Sequence, residues 1–577
     1  PDYARKLHLI ENCIYGVDIQ PIAIQISKLR FFISLVIDQK RNNNPADNFG
    51  IRPLPNLEAK FVAANSLLGL KRTEASLFDS EEIKQKERQL KIAKHKIFSA
   101  RRPTTKEKWR NEVVRLRKEI ADLLLEKDCI GNEQAAQLAQ WDMFDQNTFA
   151  PFFDPEWMFG IKEGFDILIA NPPYISTKGV STADKKLFEA EFGFSDDTYN
   201  LFFFKGFSLL CEGGCITYIT PKTFWTTQTK RNLRDLLLAN TLNYVFDTAN
   251  PFEAVMVDTC ITSAVKNKPA AENLVRFMDG RKSLLQPERL TVAQSVYLNT
   301  QNSVIFKPSE LNMRIYELYG EKVKALYDKW WDKIKTSREI EKNKRELEEY
   351  RASLKPGDVA LLGCLTEGGQ GLATANNGKY IAVRSTTKWA ENIRVSRPKK
   401  LADFLARTPK AITAEMRRYP SYVAFLQSLS EAEIAELFDS LKEQYGRDIF
   451  GQGYLYKIVD DCEIADVDSL TNDEKENGIE TTKPYYVPYD KGDKDGNRWY
   501  LETPFAIAWS KENVRFLKTD PKARYQGYTF YFREGFCWID VNSTYLKARI
   551  KANGVFDVLS MSLFTMTPPS LIGTLLR

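Results

Sequence analysis

Phe165-Asp166-Ile167-Leu168-Ile169-Ala170-Asn171-Pro172-Pro173-Tyr174 is the stretch on which the fold turns. Its first six residues are nearly all apolar. A short apolar run closed by a turn reads as a strand buried on both faces, as in sheets with helices on either side. Two prolines in succession then end it, since neither has an N–H to give to a ladder.

Working outward from that strand, the same alternation recurs. Upstream, Cys13 to Val17 is a short strand ending at Asp18, and Pro21 opens a helix with Ile22, Ile26, Leu29 and Ile33 at helical spacing. Phe61 to Ala64 is a further strand, ending at Asn65-Ser66. Downstream, the pattern predicts a helix over Tyr199 to Leu210, a turn at Gly213-Gly214 and a strand over Cys215 to Thr220. A helix over Lys230 to Leu238 and strands at Tyr244 to Phe246 and Thr259 to Val265 follow. Strands alternating with helices over residues 12–266 imply a doubly wound α/β domain. Residues 74–128 interrupt it with dense Lys, Arg and Glu, a sparse apolar stripe and a break at Pro103. That composition predicts an inserted helical hairpin, more simply a solvated structural element than a DNA contact.

The rest of the chain differs in kind. Residues 308–355 are helix-rich, with a charged helix from Ser337 to Leu354; residues 360–577 hold Gly-rich turns, short strands and many aromatics. One helix there is framed by a capping box, Ser430 with Glu433, and closed by Gly446. The expected division is an α/β catalytic domain over 1–300, a helical connector over 301–358 and an α+β domain over 359–577.

Composition narrows the function. The chain has 577 residues, 43% hydrophobic and 27% charged, which suits folded domains rather than disorder. The apolar run Phe31 to Ile37 is too short to cross a bilayer, and the N-terminus has no signal-like segment, so a cytoplasmic protein without a membrane partner is expected. Eight scattered cysteines without a CxxC pair argue against zinc and disulfide frameworks. Two histidines, His8 and His95, exclude an HNH nuclease, a HExxH zinc site and most His-based triads, and no metal site is expected. A net charge of +6 permits a polyanionic partner without requiring one. The chain begins at Pro1 and runs out in the apolar stretch Leu571 to Leu576, as expected of a piece of a longer polypeptide.

Asn171 to Tyr174 carries the candidate chemistry. An aromatic exocyclic amine such as adenine N6 is a poor nucleophile, because its lone pair is delocalised into the ring. Two acceptors aimed at its N–H bonds favour the tetrahedral geometry needed to attack a sulfonium methyl. The Asn171 amide oxygen is one acceptor. The Pro172 backbone carbonyl is the other, its direction restricted by the locked φ of consecutive prolines. Tyr174 offers a flat face for the base. The proton can leave after methyl transfer, so no histidine base is needed. A rigid strand-to-loop turn explains the same four residues equally well. Asp18 sits where nucleotide-binding α/β folds hold ribose hydroxyls, with Ile19 beside it to cover an adenine face; alternatively Asp18 only caps the helix at Pro21. Asn65 could pair with the adenine edge, or be a turn residue.

These residues resemble the adenine-specific DNA methyltransferases of type IIG restriction–modification enzymes and of the BREX phage-defence system (PglX). Tyr15-Gly16-Val17-Asp18-Ile19-Gln20-Pro21-Ile22-Ala23 looks like the family's ribose-binding segment, and Ala64-Asn65-Ser66-Leu67 like its adenine-contacting one. Asp166 to Tyr174 is similar to its catalytic motif. Asp197, Tyr199 and Phe202, and then Gly214 to Trp225, are similar to the segments that follow it. Phe252 to Thr259 resembles the segment that helps hold a flipped base, making Phe252 a second stacking candidate. The resemblance implies a Rossmann-like class I methyltransferase domain, S-adenosyl-L-methionine bound by Asp18, Ile19, Asn65 and Ser66, and catalysis by Asn171, Pro172, Pro173 and Tyr174. The family's glycine-rich first motif would lie upstream of Tyr15 and is not in this sequence, so the expected domain is incomplete at its N-terminus. It implies a monomeric, site-specific DNA-methyltransferase (adenine-specific) acting on double-stranded DNA in restriction–modification or phage defence. The alternatives are an inactive specificity fragment, or a methyltransferase acting on RNA or on protein glutamine.

The second half suits target recognition. Gly368 to Gly378 is a Gly- and Asn-rich loop, and Tyr485 to Trp499 and Arg524 to Trp538 interleave aromatics with Lys and Arg. Arg533 to Trp538 also resembles the family's target-recognition region. An ordinary β-rich domain with hairpin turns such as Asp495-Gly496 accounts for any single residue there. Asp493 and Asp495 read as turn residues rather than a calcium loop, because no downstream Glu has the required spacing.

Overall fold

The computed structural model describes the chain apart from residues 1, 52–56, 58–59, 71–80, 101, 128–129, 143, 146, 148, 253–256, 336–339, 356, 447–448, 451–455, 493–499, 501–502, 540–547, 552 and 566–577. Asp493, Asp495-Gly496 and the Trp499 end of the aromatic stretch lie outside the described residues. Two compact units divide between Ala325 and Leu326.

In the first unit, helix α1 (Asp2–Asn12) leads to strand β1 (Gly16–Asp18), helix α2 (Pro21–Ile37) and strand β2 (Phe61–Ala63). β1 and β2 pair in parallel, Asp18 opposite Ala63. The inserted hairpin is α3 (Glu81–Ser99) and α4 (Pro103–Glu126), followed by α5 (Asn132–Gln140) and α6 (Pro155–Phe159). Pro103 stands in the first turn of α4, where its missing N–H has no partner to lose. The hairpin is more than a solvated element. Its Leu90, Ala93, Ile97, Val113, Leu116 and Ile120 share one core with Val62, Ala64, Phe152 and Trp157.

Strand β3 (Phe165–Ala170) is followed by α7 (Thr182–Phe192), α8 (Thr198–Leu209), β4 (Leu210–Pro221), α9 (Arg231–Ala239) and strands β5 (Thr241–Ala249), β6 (Thr259–Val265), β7 (Leu274–Asp279) and β8 (Glu288–Ala293). They form one sheet in the order β3-β4-β6-β5-β7-β8. β3 runs parallel to β4, and β6 is antiparallel to both β4 and β5. The carboxyl ends of β3, β4 and β5 therefore lie on one edge of the sheet.

Two expectations are corrected here. β3 is not buried on both faces: Ile167 is 64% and Ile169 is 79% exposed, while Leu168 and Ala170 pack into the core beneath α8. β3 is an edge strand, paired only with β4 among the described residues, and the face that Ile167 and Ile169 share is open. Nor is Gly213-Gly214 a turn that ends one element and starts another. β4 runs through both glycines, and the β3–β4 register jumps from Phe165↔Leu210 to Ile167↔Cys215. Gly213 takes φ +79°, the left-handed region that glycine tolerates, and the irregularity absorbs the extra residues. Strands β7 and β8 extend the sheet beyond the elements expected from the sequence.

In the second unit a five-stranded sheet is built around Ile381–Arg384, Phe505–Ala508 and Tyr486–Asp490, and a four-stranded one includes Gly535–Ile539, Ser560–Thr565 and Thr366–Gly369. Aromatics of both sheets, such as Tyr489, Trp509, Phe556 and Phe564, fill a common core. The helix Glu431–Tyr445 carries the expected Ser430–Glu433 capping box and ends at Gly446.

Candidate active site

The loop leaving β3 is where backbone chemistry forces a break in pairing. Asn171 is exposed, Pro172 is buried, Pro173 is exposed and Tyr174 is half-buried. The Tyr174 hydroxyl donates to the Ile219 carbonyl at 3.4 Å, so the loop folds over the carboxyl end of β4. Burial raises the Tyr174 hydroxyl above its ordinary pKa and keeps it a proton donor.

The loop docks on the N-terminus of α8. Thr198 Oγ1 donates to the Pro173 carbonyl at 2.5 Å, and Thr198 N donates to the Ile175 carbonyl at 3.0 Å. Asp197 Oδ1 accepts from both Thr177 N (2.8 Å) and Thr177 Oγ1 (3.0 Å), and Asp197 Oδ2 faces the Lys230 ammonium at 2.9 Å. Lys230 also pairs with Asp196. Burial alone would raise the Asp197 carboxyl, but Lys230 and the Thr177 donors outweigh it and hold it below the usual carboxylate range. α8 reaches this position by close packing on β4: a Cβ on Gly206 would stand 2.5 Å from Ile216 Cδ1 and 2.7 Å from the Tyr218 hydroxyl. A side chain there would have to displace the tips of Ile216 and Tyr218.

Asp18 and Asn65 come together at the ends of β1 and β2, where Ala64 N donates to the Asp18 carbonyl at 2.9 Å. Asp18 is exposed, and its Oδ1 accepts from Gln20 N at 2.8 Å, the local turn that precedes α2. Ile19 is 52% exposed. Asn65 Oδ1 accepts from Leu67 N at 3.2 Å, and Ser66 is half-buried in the same turn. Tyr15, just before β1, has its ring centroid 6.1 Å from that of Phe165 at the start of β3, and 4.9 Å from that of Phe159. Strands β1 and β3 thus start from a shared aromatic cluster; β1 ends on Asp18 and β3 leads directly into Asn171. Phe252 is half-buried just beyond β5, on the same sheet edge as Asn171, and its N–H donates to Asn250 Oδ1 at 3.2 Å. Residues 253–256 of that segment lie outside the described residues.

Sequence reasoning named Asp197 and Tyr199 but passed over Thr198, Thr177 and Lys230. A Thr at a helix start reads as a cap for its own helix, and nothing local shows that it bonds a loop 25 residues away. Lys222, also on this edge, bridges Asp247 (3.2 Å) and Asp258 (2.8 Å). Among the described residues no group of three His, Cys, Asp or Glu side chains could hold a metal ion, and no helix is long and apolar enough to cross a membrane.

Residues 12–252 match the family model of the Eco57I restriction-modification methylase. The matched segment contains every candidate residue from Asp18 to Phe252. A Methanocaldococcus jannaschii protein named a type II restriction enzyme and methyltransferase is 26% identical over 331 residues, which is 47% of this chain and 27% of the relative. The chain thus spans about a quarter of that relative's length. Among solved structures, the ATP-dependent type ISP restriction-modification enzyme LlaBIII bound to DNA aligns with 99% of this chain and 31% of its own, at 10% identity and a TM-score of 0.35. The DrdV–DNA complex aligns with 70% of this chain and 36% of its own, at 12% identity and a TM-score of 0.28.

Proposed function

We propose that the methylase segment transfers a methyl group from S-adenosyl-L-methionine to N6 of an adenine swung out of double-stranded DNA, and that residues 359–577 select the target sequence. The observation that carries this reading is the placement of Asn171. Asn171 is exposed at the carboxyl edge of the sheet and leads into Pro172 in a loop that is itself fixed to α8. Asn171 Oδ1 and the Pro172 carbonyl accept the two amino hydrogens, which draws the nitrogen toward a tetrahedral geometry with its lone pair facing the methyl. Tyr174 and Phe252 stack on the extruded base. Asp18 and Ile19 hold the cofactor ribose and cover its adenine, and Asn65 with Ser66 meets the adenine edge. The sulfonium supplies an activated methyl, and the proton leaves N6 afterwards.

Asn171→Ala tests the reading in the full-length protein with a labelled methyl donor and duplex DNA. Losing one of two acceptors is expected to cost about 10²- to 10³-fold in turnover, with DNA affinity retained. A variant that keeps most of its turnover would remove Asn171 from the chemistry. Label recovered in RNA or protein but not in DNA would redirect the substrate.

A further inference from the structure

The N-terminus of α8 is built for the loop rather than for the helix. Asp197 is the N-cap residue, yet its carboxylate makes no cap bond to α8. Asp, Ser and Thr are favoured at that position because their oxygens satisfy free helix N–H groups. Here both Asp197 oxygens are committed elsewhere, to Thr177 and to Lys230. Thr198 behaves alike. It is 5% exposed, its hydroxyl donates to the Pro173 carbonyl at 2.5 Å, and the same oxygen accepts from Ile175 N at 3.2 Å.

The backbone between this anchor and the Pro172 carbonyl is nearly rigid. The Pro173 ring locks φ, and Pro172, preceding a proline, is confined to extended ψ. With the Pro173 carbonyl pinned, ψ of Pro173 is the one soft rotation left between the two carbonyls. The bonds from Ile175 N and to the Ile175 carbonyl restrain the loop on its far side.

We infer that Thr198 is a positioning residue for methyl transfer: its hydroxyl, by holding the Pro173 carbonyl, aims the Pro172 carbonyl at the amino group of the bound base. This rests on the reading of residues 171–174 given above. Thr198 touches neither base nor cofactor. Without its hydroxyl the loop can still admit the base, but the second acceptor swings off axis, so the loss falls on turnover rather than on binding.

Thr198→Val removes the hydroxyl at nearly constant volume, and Thr198→Ser keeps it. Both are compared with wild type in the full-length protein by steady-state methyl transfer to duplex DNA, alongside the thermal midpoint. Thr198→Val is expected to lower kcat about 10²-fold, the cost of a small misplacement of a reacting group. KM for DNA and for the methyl donor should stay within about twofold, and Thr198→Ser should return kcat to within about threefold of wild type. An unchanged kcat in Thr198→Val overturns the proposal. So does a loss that Ser fails to rescue, or one that follows the thermal midpoint, since either makes Thr198 a packing residue. Asn171→Ala separates the two levels. If it lowers kcat as expected while Thr198→Val leaves kcat unchanged, only the clamp is wrong. If Asn171→Ala keeps most of its turnover, or the wild-type protein methylates no DNA, the reading of the loop falls and takes the clamp with it.

Discussion

The Lys230 ammonium lies 2.9 Å from the Asp197 carboxylate, with side chains only 7% and 22% exposed. Lys230 also pairs with Asp196, whose side chain is 13% exposed, so one buried cation bridges two partly buried carboxylates. The cluster ties the start of α9 to the N-terminus of α8 and, through Thr177, to the loop after β3.

Lys230→Met is therefore expected to destabilise the first unit by about 3–5 kcal/mol, because it leaves two largely desolvated carboxylates without their cation. Denaturant unfolding measures this; a loss under about 1 kcal/mol would mean that water already screens the cluster. The pH dependence has a definite sign. Asp197 is held below its ordinary value of 3.8, so its contribution is whole above that pH and fades as pH falls beneath it.

A second pH effect comes from the inserted hairpin. Lys94 on α3 is buried and donates to the Trp157 (2.9 Å) and Met158 (3.2 Å) carbonyls at the end of α6. Burial first, and Arg117 second, push Lys94 down to about 7 from 10.5, with Asp154 acting the other way. Between those pH values the unfolded chain holds a proton that the folded one lacks. Stability should therefore rise with pH through this window, by up to about 1.4 kcal/mol per pH unit from this group. Lys94→Met removes the group, so wild type should gain on the variant between pH 7 and pH 9 in urea unfolding. Parallel curves for the two proteins would show that Lys94 is charged throughout.

Leu168 of β3 pairs with Ile216 of β4, and the neighbouring Ile169 points away from the core. In the 577-residue chain, Ile216→Ala should cost about 2–5 kcal/mol, since Ile216 is fully buried. Ile169→Thr should change stability by less than about 0.5 kcal/mol, as expected of an exposed site. Ile169→Lys should also reduce self-association, because a charge on an exposed edge strand opposes strand addition. Thermal midpoints and light scattering give the answer, and equal losses at Ile169 and Ile216 would refute the assignment of faces.

Some of this architecture was legible residue by residue. The Ser430–Glu433 capping box is a contact over three positions, so spacing alone specifies it. The hairpin was legible from its charge density and from Pro103. Strands β7 and β8 carried a readable signal as well: Val275 and Phe277 alternate with exposed neighbours. Six residues of alternation are too few to outweigh the surrounding polar sequence. The exposure of Ile167 and Ile169 was not legible, because burial belongs to whatever packs against a strand and not to the strand itself.

Residues 165–174 by themselves determined a strand that must stop at a loop, since proline's missing donor and locked φ act within the residue and need no partner. The alternation on either side determined an α/β unit for the same local reason. Tertiary structure alone decided what holds that loop. Thr198 reaches the Pro173 carbonyl because α8 packs on β4, closely at Gly206, bringing together groups 25 positions apart in the chain. A hydrogen bond between distant residues depends on how elements pack, and no spacing in the sequence encodes it.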